Sequence, residues 1–138
     1  MDTGIKVGDC MQSSLITITE SASIFDAARK MKDSSVGSLL VEGTKGVYGI
    51  VTADDIVLKA VAADKMDSSV KKIASKPLIS VAVDADLAEA AKMLGERDVK
   101  RLVVQSRQKI VGIISQKDIV RISPSLYDLI AEREHLRL

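Results

Sequence analysis

Gly49-Ile50-Val51-Thr52-Ala53-Asp54-Asp55-Ile56-Val57 is answered, 63 residues on, by Gly112-Ile113-Ile114-Ser115-Gln116-Lys117-Asp118-Ile119-Val120. Both stretches read as a glycine, two apolar residues, a hydroxyl, two variable residues and an aspartate. The same offset, without a gap, lays Val7 on Val70, Leu15-Ile16 on Leu78-Ile79, Ala27-Ala28 on Ala90-Ala91 and Val36 on Val99. Self-similarity at a fixed period means that one supersecondary unit has been built twice. A unit of about 60 residues is marginal alone, so the halves are expected to stack about a pseudo-two-fold axis.

Working outward from the quoted stretch, each half predicts the same run of elements. Leu15-Ile16-Thr17-Ile18 and Leu78-Ile79-Ser80-Val81 are short, β-branched and strand-like. Ile24, Ala27, Ala28 and Met31, matched by Leu87, Ala90, Ala91 and Leu94, make one apolar stripe at helical spacing. Ser23-x-x-Asp26 and Asp86-x-x-Glu89 supply helix starts of the capping-box kind. Strands over 38–42 and 46–51, and over 101–105 and 109–114, flank the tight connections Gly43-Thr44-Lys45 and Ser106-Arg107-Gln108, which predicts two hairpins. A second helix starts at Asp54-Asp55 and again at Lys117-Asp118. The fold class is α+β: two β-α-β-β-α units over 7–63 and 70–122.

Between them, Asp64-Lys65-Met66-Asp67-Ser68-Ser69 is polar and reads as a linker. Pro124 breaks the chain, and Leu126, Leu129 and Ile130 mark a C-terminal helix over 125–138. Asp128 falls early in that helix and Arg133 and Arg137 late, as its dipole favours. This tail has no counterpart in the repeat, and its apolar residues are free to pack on the body or on a second subunit.

Composition narrows the function. Of 138 residues, 46% are apolar and 28% charged, and the net charge is +1, so no bulk attraction to nucleic acid or to an anionic membrane is expected. No apolar run approaches the ~20 residues of a membrane span, and the first residues lack a signal-peptide core. The single cysteine, Cys10, fits a reducing cytoplasm and reads as a small buried apolar group. The one histidine, His135, has no ligand-spaced Cys or His beside it, so neither a metal site nor a Ser/His/Asp set can be assembled. Phe25, Tyr48 and Tyr127 are too few to form a stacking platform for single-stranded nucleic acid. No catalytic residue is expected.

The chemistry therefore rests on the quoted string. A strand-to-helix junction presents free backbone N–H groups and a positive dipole end, which suit a phosphate. The hydroxyl of Thr52 or Ser115 can add a hydrogen bond there. The carboxylate of Asp55 or Asp118 accepts only, and can receive both hydroxyls of a ribose. Thr52-x-x-Asp55 is equally an ordinary helix cap, its hydroxyl accepting from the backbone. Both readings stand on the sequence; a second copy at the equivalent position strengthens the first.

The repeat, the opening Val7-x-Asp9-x-Met11 and the twin Gly-x-x-Thr/Ser-x-x-Asp strings resemble a tandem pair of cystathionine-β-synthase (CBS) domains, a Bateman module, from about Val7 to Ile122. The resemblance implies two clefts between the halves and adenine nucleotides (AMP, ADP or ATP) as ligands. S-adenosylmethionine or NAD-type molecules come second, and no cofactor is required. It implies a sensor and not an enzyme, commonly a homodimer, acting on a separate effector protein. By the family pattern Asp55 and Thr52 would share a cleft with Lys100 and Arg101. Asp118 and Ser115 would share the other with Ala22, Ala27, Val36, Gly37 and Ser38. Lys100-Arg101 would offer the Asp55 cleft two cations for phosphate, whereas Asp54 would repel phosphate and its counterpart Lys117 attract it. A bidentate guanidinium outweighs one flexible ammonium, which ranks the Asp55 cleft first. Two other readings remain: a structural oligomerisation module with vestigial clefts, and a nucleic-acid-binding protein of the same family.

Overall fold

The computed structural model describes the backbone from Asp2 to Leu136 and the side chains from Asp2 to Ala131. Arg137 lies outside the described residues, as do the side chains of Arg133 and His135. Among the described residues six strands and five α-helices run in the order β1 (Thr17–Thr19), α1 (Ile24–Ser34), β2 (Ser38–Gly43), β3 (Gly46–Thr52), α2 (Ala53–Asp55), β4 (Ser80–Ala82), α3 (Leu87–Arg97), β5 (Arg101–Ser106), β6 (Lys109–Ser115), α4 (Gln116–Ile122) and α5 (Tyr127–Leu136). The first strand of each half starts two residues later than its β-branched run. Only the later residues find ladder partners, Thr17 opposite Leu40 and Ser80 opposite Val103.

The chain folds into two units, each with its own three-stranded sheet. Leu15–Leu78 forms one, and the residues through Ser14 join those from Ile79 onward to form the other. In the first unit β1 runs parallel to β2, with α1 as the crossover between them, and β2–β3 is an antiparallel hairpin. The second repeats this as β4-β5-β6. Both hairpins carry a register shift at the same place, between Val41 and Glu42 and between Val104 and Gln105.

The helices form where their caps and stripes direct. Ser23 accepts the Asp26 N–H at 3.0 Å to open α1, and Ile24, Ala27 and Met31 are buried beneath it. Asp86 accepts the Ala88 N–H at 2.8 Å to open α3, which buries Leu87, Ala90, Ala91 and Leu94. Both helices end on a left-handed residue, Ser35 and Asp98, 63 positions apart. Neither is glycine, and each accepts the modest cost of positive φ to close its helix. After Asp55 the first unit departs from the second: Ile56–Val61 is a π-helix, with the Ala62 N–H bonded to the Val57 carbonyl at 2.9 Å. The corresponding α4 is regular.

Each unit is completed by the segment that precedes the other repeat. In the second unit the opening residues lie along β4 and α3, through Val7 N–H to Ala85 O and Gly8 N–H to Val83 O, both 2.9 Å, and Leu87 N–H to Ile5 O at 2.8 Å. In the first unit, residues read as linker and as the start of the second half dock on the first sheet. Val70 N–H reaches Ala22 O at 2.8 Å, and Lys71 N–H reaches Glu20 O at 3.1 Å. Val70 is fully buried in the first unit's core with Ile18, Ile24, Leu39, Val41 and Val51, as Val7 is in the second with Leu87, Leu94, Val104 and Ile114.

The choice left open for the C-terminal helix is settled for its first half. Leu126 and Ile130 are fully buried in the core of the second unit, Leu129 packs against that core, and α5 lies on α3 and α4. Through Leu126, Leu129 and Ile130 this part of the tail is a structural wall of its own unit.

Candidate functional site

Each strand-to-helix junction builds a closed capping box, and the two are superposable in detail. Thr52 has φ −114° and ψ 165°, and Ser115 has φ −115° and ψ 166°. The Asp55 N–H donates to Thr52 Oγ1 at 3.1 Å while the Thr52 N–H donates to Asp55 Oδ2 at 2.9 Å. Likewise the Asp118 N–H donates to Ser115 Oγ at 3.2 Å, and Ser115 donates to Asp118 Oδ2 from both its N–H, at 2.9 Å, and its hydroxyl, at 3.0 Å. Both aspartates are buried, the only polar side chains that are so among the described residues. The capping role is thus present in both copies. It uses mainly one oxygen of each carboxylate, and a carboxylate has room for about four hydrogen bonds.

The sheet register sets what stands beside each box. Ser38 is opposite Thr52, and the Ala53 N–H donates to Gly37 O at 3.0 Å, so Gly37-Ser38 adjoin Thr52-Ala53. Arg101 is opposite Ser115, and the Gln116 N–H donates to Lys100 O at 3.0 Å, so Lys100-Arg101 adjoin Ser115-Gln116. Half-exposed Val36 and Ala22 belong to the first unit, whereas Lys100 and Lys117 are exposed on the second. Ala27 is fully buried in the apolar core, so its side chain fills space inside its unit and offers no surface. The family pattern made it a cleft candidate, but its place on the apolar helical stripe sends it inward.

The glycine of the string has a role the sequence did not show. Ser75 and Ile50 exchange backbone hydrogen bonds of 2.8 and 3.1 Å, and Gln12 and Ile113 exchange bonds of 2.8 and 2.9 Å. A Cβ on Gly49 would stand 3.0 Å from the Ser75 carbonyl oxygen, and one on Gly112 would stand 2.9 Å from the Gln12 carbonyl oxygen and collide with Met11. Both glycines admit a crossing backbone, and neither has positive φ.

Two further residues touch the carboxylates, and neither stood out in the sequence. Lys59 Nζ lies 3.0 Å from Asp55 Oδ1 and also within reach of Ile73 O (3.3 Å) and Ser75 Oγ (3.4 Å). The i,i+4 rule for helical ion pairs would have found it. Gln12 Nε2 makes a long contact of 3.4 Å to Asp118 Oδ1. Its crossing segment is 106 residues away in sequence, and no local pattern announces it. Cys10, nearby, has its thiol pKa raised by burial and then by the charges of Asp9 and Asp118. That field disfavours a thiolate nucleophile. Beside the second box, α4 and the start of α5 form an open groove of about 430 Å³ lined by Gln116, Lys117, Val120, Arg121 and Tyr127. Among the described residues no three His, Cys, Asp or Glu side chains converge to hold a metal ion, and no helix is long and apolar enough to cross a membrane.

Two copies of a β-α-β-β-α unit, each closed by a hydroxyl–aspartate box, define a tandem-repeat α+β architecture. The family model for the CBS domain matches residues 7–61 and again 70–125, and the chain belongs to the CBS-domain family. An uncharacterized protein of Methanopyrus kandleri is 30% identical over 132 residues, which span 93% of this chain and 67% of that one. The crystal structure of an uncharacterized conserved protein from Pyrococcus horikoshii is similar with a TM-score of 0.82 at 30% identity, covering 89% of this chain and 95% of that one. The CBS domain pair of protein MJ0100, solved in complex with 5′-methylthioadenosine and S-adenosyl-L-methionine, shares the fold with a TM-score of 0.78 at 24% identity, covering 88% and 97%.

Proposed function

We propose that the chain is a regulatory module that binds an adenosine-containing ligand and signals its level to a separate effector protein. AMP, ADP and ATP head the candidates, with S-adenosylmethionine close behind and NAD-type molecules after them. The observation that carries this reading is the pair of buried aspartates, Asp55 and Asp118, held at two strand-to-helix junctions by capping boxes that engage Oδ2 and leave Oδ1 outside the box. A carboxylate fixed in this way is preorganised to receive a ribose diol, and the adjoining hydroxyls and backbone suit a phosphate. The MJ0100 domain pair, of the same fold, was captured with two adenosine compounds, which supports that ligand class. The ligand-contacting residues proposed are Ala22, Val36, Gly37, Ser38, Thr52 and Asp55 of the first unit, and Lys100, Arg101, Ser115, Lys117 and Asp118 of the second.

The module is proposed to work as a cytoplasmic homodimer. Phe25, Val57, Leu58 and Val61 are exposed on the first unit, and Ile122 and Tyr127 on the second. Large apolar side chains left in water favour association. Light scattering at micromolar concentration would return a dimer mass, and a monomer mass would refute it.

A thermal-shift panel of AMP, ADP, ATP, NADH and S-adenosylmethionine tests the ligand class. A ligand at 100 times its Kd adds about 2.7 kcal/mol to the folded state. A rise with at least one of them supports the sensor. No rise with any of them, together with a dimer mass, would favour a structural oligomerisation module.

A further inference from the structure

We propose that the two repeats are unequal ligand sites: Asp118 takes the ribose of the first ligand bound, and Lys59 is the specificity-determining residue that withholds Asp55. The inference rests on the adenosine-ligand reading above and reverses the ranking of sites that Lys100-Arg101 gave to the sequence.

The asymmetry lies in the second oxygen of each carboxylate. Both boxes engage Oδ2 and leave Oδ1 for other partners. In the first unit Oδ1 is taken by a cation, Lys59, at 3.0 Å. The ammonium, on a side chain 48% exposed, also stands 3.3 Å from the Ile73 carbonyl and 3.4 Å from the Ser75 hydroxyl, long contacts that add to the ion pair in keeping it beside Asp55. In the second unit the residue at Lys59's place is Ile122, which cannot compete for the carboxylate. Among the described residues Asp118 Oδ1 meets the neutral amide of Gln12 alone, at 3.4 Å, near the outer limit of a hydrogen bond. A ribose diol needs both carboxylate oxygens to accept. At Asp118 it displaces one weak neutral contact; at Asp55 it must displace a charge-assisted one.

The surrounding charges act in the same sense. Asp118 is flanked on α4 by Lys117 and, one turn on, by Arg121, the two cations of the open groove. The matching positions in the first unit are Asp54 and Leu58, an anion and an apolar residue. A phosphorylated ligand is favoured at the second box on this count as well.

Titration calorimetry with AMP, ATP and S-adenosylmethionine as probes decides the matter. The proteins are the full chain and its Asp118→Ala, Asp55→Ala, Lys59→Met and Lys59→Met/Asp55→Ala variants. For any probe that binds, Asp118→Ala should weaken the tighter event about 30- to 150-fold, as the loss of charge-assisted hydrogen bonds predicts. Asp55→Ala should leave that event within about 3-fold. Lys59→Met should strengthen the weaker event about 3- to 10-fold, the scale of one half-buried ion pair, and the double variant should lose the gain. If Asp118→Ala melts too low to titrate, Asp118→Asn keeps an acceptor for the Ser115 N–H while removing the charge, and takes its place. Loss of the tighter event on Asp55→Ala, or weaker binding on Lys59→Met, overturns the inference and leaves the sensor reading standing. No binding of any probe by the folded wild-type chain and variants overturns the sensor reading and this inference with it.

Discussion

Lys59 Nζ stands 3.0 Å from Asp55 Oδ1, and the second repeat puts Ile122 where that lysine would be. One substitution between two copies of a repeat thus accompanies a change in the carboxylate's Oδ1 partner, from the neutral amide of Gln12 to a lysine ammonium. The boxes themselves keep the same dihedral angles at Thr52 and Ser115, although Lys59 lies on the π-helix that follows the first box and Ile122 on the regular α4. The capping geometry that folds the two copies is retained while the side chain beside the carboxylate differs.

Asp118 caps α4 whether or not it binds a ligand. Asp118→Ala should lower stability by about 1 kcal/mol, the value of a helix-cap interaction. This loss is the one expected for ligand-free protein, and chemical denaturation after dialysis measures it. A loss of several kcal/mol would mean that Asp118 holds the unit together rather than capping one helix.

Removing the tail should damage the second unit. Ile130 is 1% exposed in that unit's core, so Ile130→Ala should cost about 2–4 kcal/mol as a cavity-forming change. Deleting everything from Ser125 onward should cost more and should loosen α3, on which α5 packs. Hydrogen exchange would show the loss of protection in residues of α3 and spare α1. An unchanged melting temperature for Ile130→Ala would contradict the packing.

Acid should release the opening segment first. Asp86 accepts from the N–H groups of Ala88, Thr3 and Gly4 and from the Thr3 hydroxyl, which lowers its pKa from 3.8 to about 2. A depressed carboxylate contributes its stability above the unfolded pKa and loses it as pH falls through the folded one. Exchange protection at Val7 and Gly8 should therefore fall between about pH 4 and pH 2. Asp86→Asn should show reduced protection already at neutral pH and a flatter profile over that window.

The second hairpin is open to improvement. Arg107 and Gln108 both have positive φ, at 51° and 66°, a conformation that favours Asn and Gly. Arg107→Asn with Gln108→Gly should raise stability by about 0.5–1 kcal/mol, read as a higher denaturation midpoint at unchanged slope. A lower midpoint would mean that the long side chains make contacts outweighing the backbone strain.

Much of the fold could be read from the chain. Ile24, Ala27 and Met31, and Leu87, Ala90, Ala91 and Leu94, announced helices whose buried faces they form. The hairpins followed from Gly43-Thr44-Lys45 and Ser106-Arg107-Gln108. The Thr52 and Ser115 boxes, too, are local: a hydroxyl and an aspartate three residues on meet through one helical turn wherever that turn forms. The linker was less legible, because a polar run such as Asp64–Ser69 gives no sign of what it lies against. Ser68 O in fact accepts the Ile24 N–H at 3.1 Å, within the first unit.

The repeat, the element order and the two capped aspartates were determined by the sequence itself, since each depends on residues within a turn or a hairpin of one another. Three things were decided only by tertiary structure. The segments around Val7 and Val70 complete the sheets opposite to their place in the repeat; Gly49 and Gly112 are glycines because those segments cross them; and Gln12 reaches Asp118 across 106 residues of chain. The physical reason is common to all three. A backbone edge left unpaired by its own unit must find hydrogen bonds somewhere, and which distant strand supplies them is set by where the folded chain brings it, not by any spacing along the sequence.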